Sequence, residues 1–230
     1  MSLAAFLLAD GRFPAGGHAH SGGVEAAVAD GRVHDCTSLA AYVTGRLHTA
    51  GLSDASLAVA TANRVDRDGA PAMRQTTLRI LDAEADARVL APPLRAASRR
   101  LGRQLVRVAS RCWPSHVWAD VAVVAADGIH QACAFGLVGR VADLEHDEVA
   151  RLVVHHAVST PAQAGVRLLG LDPFAVAGVL AAVSRQGEEV AQRAVVAGRG
   201  ALQDLPAANG AVVEIAAVEH ATWDIRMFTT

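Results

Sequence analysis

Apolar residues recur along this chain at intervals of three and four, and short breaks rich in Gly, Pro and Asp separate one run from the next. That period puts the apolar side chains on one face of a helix. Ser2–Asp10 reads as a short apolar helix. Thr37 or Ser38 can cap a helix running to about Ala50, with Gly51 just past its end. Ser53 then caps another, with Leu57, Ala58 and Ala60 inward. Asp66–Gly69 is a turn, and Pro71 suits the first position of a helix carrying Leu78, Leu81 and Ala85. Pro92-Pro93 forces a break before a long helix over Leu94–Arg111, with Leu94, Ala97, Leu101, Leu105 and Val108 on one face, and Trp113-Pro114 ends it. Ile129–Val141 follows, with Gly136 and Gly139 allowing tight packing and His130 expected as a core or cap histidine. Asp147–Leu169 is the next helix, which Pro161 is expected to kink or divide. Asp172-Pro173 starts a helix reaching towards Val196. Gly198–Gly210 reads as a flexible link and Ala211–Ala221 as the final helix. Only Val121–Ala126, continuously apolar and β-branched, resists the period; with no second strand to pair with, it reads as loop or helix. The pattern predicts one all-α domain over 1–230, a helical bundle of about ten helices.

Composition sharpens this picture. Hydrophobic residues make up 52% of the 230 and aromatics only 4%, so the core is built from small Ala and Val side chains that permit close helix approach. The length suffices for one sizeable core. The net charge is −2, and all the positive charge is arginine, because the chain has no lysine. That balance gives no electrostatic reason to expect nucleic acid. Cys36, Cys112 and Cys133 are odd in number and widely spaced, which indicates neither a disulfide framework nor a zinc knot, but the reduced thiols of a cytoplasmic protein. Leu3–Ala9 is too short for a signal peptide and lacks a basic flank. No run approaches the roughly 18 apolar residues of a membrane span.

Three features stand out from the helical background. Asp10–Glu25 holds five glycines, one proline and two histidines. Gly11, Gly16 and Gly17 permit positive φ there, and Pro14 biases Phe13 away from helix. Ser21 is expected to cap a short helix over Gly22–Ala29 that stops near Gly31. Without a Lys-Ser or Lys-Thr the glycines make no phosphate loop, and without a preceding strand they make no dinucleotide fingerprint. His18 and His20 lie close enough to share a metal, yet a third ligand is missing. Glu25, one turn past Ser21, is expected to make a capping contact. The second feature is a row of arginines on Leu94–Arg111: Arg95, Arg99, Arg100, Arg103 and Arg107. They form either a partner- or anion-binding face or a solvated one. The third is the chain end, where Trp223, Ile225, Met227 and Phe228 are unusually apolar and suit docking on the chain's own domain or on a partner.

The order Pro14, Gly16, Gly17, His20, Ser21, Gly23, Val24, Glu25 resembles the signature of the urease accessory protein UreF family. The tail from His220 through Trp223, Arg226 and Phe228 to Thr230 is similar to that family's ending of His, an aromatic, then Arg-x-Phe. The resemblance implies a non-catalytic, homodimeric, all-helical scaffold without a cofactor. Its partners would be the accessory protein UreD (also called UreH), the GTPase UreG and the apo-urease subunits, with nickel delivered to urease on GTP hydrolysis. The implied contact surface comprises Pro14, Gly16, Gly17, His18, His20, Ser21 and Glu25 of the glycine-rich stretch. From the tail it takes His220, Trp223, Arg226 and Phe228, with His20 standing where many members have Tyr. A different class remains as the alternative: a small helical metal-dependent enzyme using His18, His20 and Glu25. Neither membrane nor nucleic acid is expected as a partner.

Overall fold

A computed structural model describes residues 1–228; Thr229 and Thr230, the last two residues of the predicted tail, lie outside the described residues. The helices are α1 (Leu3–Ala9), α2 (Val24–Ala29), α3 (Cys36–Arg46), α4 (Leu52–Arg64), α5 (Pro71–Arg88) and α6 (Pro92–Cys112). They continue with α7 (Val117–Val124), α8 (Gln131–Val141), α9 (His146–Leu169), α10 (Pro173–Arg199) and α11 (Ala211–His220). A π-helical turn, Leu47–Gly51, joins α3 and α4 without interruption, so these eleven segments make ten separate helices. Among the described residues there is no strand. The all-α domain expected from the periodicity is what the chain forms.

α4 is the axis. Ser53 and every residue from Ala55 to Ala62 are buried, because α8, α9 and α10 enclose this helix on several sides. Helices can crowd round it only because its side chains are small. Its hydroxyls turn back onto their own carbonyls: Ser56 Oγ donates to Leu52 O at 2.7 Å and Thr61 Oγ1 to Leu57 O at 2.9 Å. No buried donor is left unpaired by the polar residues of that helix turn. A Cβ at Gly136 of α8 would lie 2.2 Å from Ala58 O, and one at Gly198 of α10 would lie 2.7 Å from Ser56 O. The neighbouring helices therefore touch the α4 backbone itself.

Several sequence expectations are corrected by this packing. Gly51 does not end a helix: it is buried with helical φ inside the continuous α3–α4 segment, next to Ala157 of α9. Ser53 caps nothing; its hydroxyl accepts from Ala208 N at 3.1 Å and bonds Ala208 O at 3.3 Å. The run read as loop or helix divides: Val121–Val124 belongs to helix α7, which starts earlier, at Val117, and Ala125–Ala126 lie beyond its end. α9 runs through Pro161 undivided, with that proline buried against Gly22. Residues 198–210 are not a free link. Gly198 lies within α10, Leu205 is buried, and Arg88 holds the segment by donating to the carbonyls of Leu202, Leu205 and Pro206.

Two ionic braces, one buried and one partly exposed, fix the α5–α6–α7–α8 side. Arg74 Nε meets Asp120 Oδ2 at 2.6 Å, with Gln75 on the other carboxylate oxygen. Arg99 bridges Asp82 and Asp86, while His130 bonds Asp86 Oδ1 at 2.8 Å and Ser98 Oγ at 3.0 Å. Burial pushes the His130 imidazole below its ordinary pKa, and the Asp86 carboxylate only partly restores it. The expected core-or-cap histidine is thus both, since His130 also precedes α8 as its N-cap residue.

Because α8 rests on bare backbone, Gly136→Ala should cost about 2–3 kcal/mol of stability through overpacking. Urea unfolding followed by circular dichroism measures this, and an unchanged midpoint would show that α8 can back away from α4.

Candidate functional site

The glycine-rich stretch turns the chain twice. Pro14 and Gly16 lie against α6: Gln104 Nε2 donates to Pro14 O at 3.1 Å, and Gly16 adopts a left-handed φ of 84°. Gly11 and Gly17 do not take positive φ; Gly22 and Gly23 do, at 61° and 83°. α2 therefore begins at Val24, later than expected, since two successive left-handed residues cannot be helical. Gly23 has a second reason to lack a side chain: a Cβ there would lie 2.8 Å from Tyr42 Oη, whose hydroxyl donates to Gly22 O at 2.9 Å. Ser21 is not the N-cap residue, a position that Gly23 takes; it is buried two residues earlier, and its Oγ accepts from Gly23 N at 3.2 Å and from Glu25 N at 3.4 Å.

Glu25 does not serve that cap through its carboxylate. The carboxylate reaches across the molecule and takes hold of the chain end. Glu25 Oε2 accepts from His220 Nε2 and from Phe228 N, both at 3.0 Å, and Oε1 accepts from Met227 N at 2.7 Å. The site is dry: Glu25 is 8% exposed, His220 2% and Phe228 3%. A carboxylate accepts only, so His220 presents Nε2–H to it. The Trp223 ring packs on His220 with centroids 4.6 Å apart. Arg167, from the last turn of α9, lies over the Phe228 ring at 4.6 Å and donates to His18 O at 3.0 Å. One guanidinium thus ties the tail to the glycine-rich stretch.

The predicted site residues separate into two groups. Ser21, Glu25, His220 and Phe228 are buried and form the clasp, with His20 also buried at 9%. Pro14, His18 and Arg226 are exposed, and Gly16, Gly17 and Trp223 are partly so. Sequence reasoning missed Arg167 and Tyr42, which carry no local signal and reach the site from distant helices. It also misread Glu25, because a glutamate four residues after a serine looks local. Among the described residues no group of three His, Cys, Asp or Glu is placed to hold a metal ion. Both Glu25 oxygens are already committed to the tail.

Behind the clasp lies a cavity of about 700 Å³. Its wall includes His20, Arg46, Asp54, His156, Glu214 and Phe228, so it adjoins the glycine-rich stretch and the tail. Burial pushes the Asp54 carboxyl up to about 6, and the nearby Arg46 charge only partly offsets this. Burial also pushes His156 down to about 4, against the Leu8 carbonyl that it bonds at 3.0 Å.

The geometry defines a class first: a single all-helical domain whose end is stitched by one buried carboxylate to its own glycine-rich entry. Comparison with known proteins then supplies the family. The UreF profile matches residues 33–184. The chain is 45% identical over 194 residues to the urease accessory protein UreF of Mycolicibacterium vanbaalenii, covering 84% of this chain and 86% of that one. It is 40% identical over 187 residues to the protein of the same name from Mycobacterium sp. strain JLS, covering 81% and 82%. It is 39% identical over 204 residues to that of Mycobacterium tuberculosis, covering 88% and 90%. The chain belongs to the UreF family of urease accessory proteins.

Replacing Glu25 by Ala strands three donors and should cost about 2–4 kcal/mol. Trypsin should then cut after Arg226 far sooner than in the wild type, and equal cleavage rates would show that the carboxylate does not hold the tail. The cavity groups give opposite pH trends. Asp54, raised in the folded state, penalises folding above about pH 6, and that penalty is relieved as pH falls towards 4. His156, depressed when folded, supports folding above its unfolded value near 6.5 and loses that support as pH falls towards 4. Urea midpoints at pH 7 and pH 5 should therefore drop more on acidification in Asp54→Asn than in wild type, and less in His156→Gln.

Proposed function

We propose that this chain is a non-catalytic scaffold of urease maturation. In this reading it acts in the cytoplasm as a homodimer and binds UreD. It then recruits the GTPase UreG to apo-urease, so that nickel is inserted on GTP hydrolysis. The observation that carries the reading is the Glu25 clasp, which brings the two motif-bearing stretches together at one place. The buried residues of the clasp hold the geometry. The exposed ones present it: Arg226, Met227 and Ile225, the last 91% exposed, project from the fixed tail, and His18 and Pro14 are exposed on the glycine-rich stretch. Exposed apolar groups next to an exposed guanidinium are the composition that protein interfaces favour.

Nickel is cargo in this scheme and urease its destination. The residues of this chain contribute position: Glu25, His220 and Arg167 fix the tail, and the tail holds Arg226 towards the GTPase. The metal-enzyme alternative needs Glu25 as a ligand or base, a role its three tail hydrogen bonds already occupy.

Co-expression of urease with its other accessory proteins, with and without this chain, tests the reading directly. Without the chain, urease should contain well under a tenth of its normal nickel. Arg226→Ala should leave the melting temperature unchanged, because the side chain is exposed, yet abolish capture of UreG by the chain–UreD complex. Full nickel loading without the chain would overturn the proposal.

A further inference from the structure

α6 differs from every other long helix of this protein in its charge. It contains no Asp or Glu between Pro92 and Cys112. Two of its arginines serve the fold: Arg99 pairs with Asp82 and Asp86, and Arg95 donates to the Val89 and Leu90 carbonyls. Arg100, Arg103, Arg107 and Arg111 are exposed and lie at steps of three and four, in one row about 16 Å long. Among the described residues none of the four forms a salt bridge; Arg103 reaches only the Asp127 carbonyl, at 3.5 Å.

The chain's own habits make this row informative. Arg88 pairs with Glu84 on α5, Arg151 with Asp147 on α9 and Arg185 with Glu189 on α10, each one turn apart. That is how a solvated helix face is ordinarily neutralised. On α6 like charges follow one another instead, which is mildly destabilising in isolation. The row also stands out against a chain whose net charge is −2.

We propose that the Arg100–Arg111 row is a docking surface for a protein partner that presents carboxylates along one helix face. The carboxylates would repeat about one turn apart, matching the arginine spacing, so that exposed charges of opposite sign face one another along the row and steer association. A nucleic acid fits less well, because the row is short and the acidic remainder of the chain repels a long polyanion. This rests on the assembly reading above, in that the partner is one of the proteins of that assembly. The row also borders the glycine-rich stretch, because Gln104 of the same helix donates to the Pro14 carbonyl.

The test replaces Arg100, Arg103, Arg107 and Arg111 together by Gln and, in parallel, by Lys, in the full chain. Binding to purified UreD and apo-urease, and of the chain–UreD complex to UreG, is followed by biolayer interferometry at 50, 150 and 300 mM salt. Far-ultraviolet circular dichroism and melting temperature confirm that both variants fold. The expected result is that one of the three associations slows about tenfold in the Gln variant at 50 mM salt. The gap should narrow by 300 mM, with dissociation little changed and the Lys variant close to wild type. Equal association of wild type and Gln variant with all three overturns the docking surface while leaving the assembly reading intact. A wild type that binds none of them overturns both. A 20-base-pair DNA duplex and phosphatidylserine vesicles are run beside them. If either binds more tightly than the proteins at 150 mM salt and loses that binding in the Gln variant, the row belongs to a different polyanion and the proposal fails.

Discussion

The structure depends on how closely helices can approach α4. A helix built of Ala, Ser, Val and Thr presents little side chain, so α8 and α10 lie against its backbone carbonyls, with Gly136 and Gly198 at the contact points. This is the way a chain with so few aromatics fills its interior: it shortens the distance between helices instead of packing large rings between them. The consequence is stiffness. A core of small interlocking side chains has few alternative arrangements, and surfaces mounted on it keep their geometry.

The Glu25 clasp is mounted on that frame. α2 is only six residues long and could not persist alone. It is held from the front by Tyr42 on the Gly22 carbonyl and from behind by Pro161 of α9 against Gly22. The carboxylate on this short helix then gathers donors from a segment some two hundred residues later. Hydrogen bonds to a buried charge are the strong kind, about 1.5–3 kcal/mol each. They compensate the ordering of a chain end, which would otherwise fray. Arg167 completes the join by touching both partners, the Phe228 ring and the His18 carbonyl.

Surface and interior divide the remaining charge. Acids and arginines that pair across helices, such as Arg74 with Asp120 or Arg99 with Asp82 and Asp86, lock elements together. Asp54 and Arg46 instead face a cavity beside the clasp, where burial rather than pairing governs the carboxyl. The arginines left over on α6 point outward.

Much of this protein was legible from its residues alone. Helical period, proline starts and Gly-punctuated breaks located most helices, because those signals act within one or two turns. The same local grammar marked the glycine-rich stretch and the apolar tail as unusual. It failed where a residue's job lay far along the chain. Gly51 looked like a terminator but lies inside a continuous helix; Glu25 looked like a cap contact but holds Phe228; the segment after Arg199 looked free but is pinned by Arg88. Which carboxylate meets which amide is set by how the other helices settle round α4. That arrangement depends on contacts between residues a hundred or more positions apart, whose pairing leaves no periodic trace in either partner's neighbourhood.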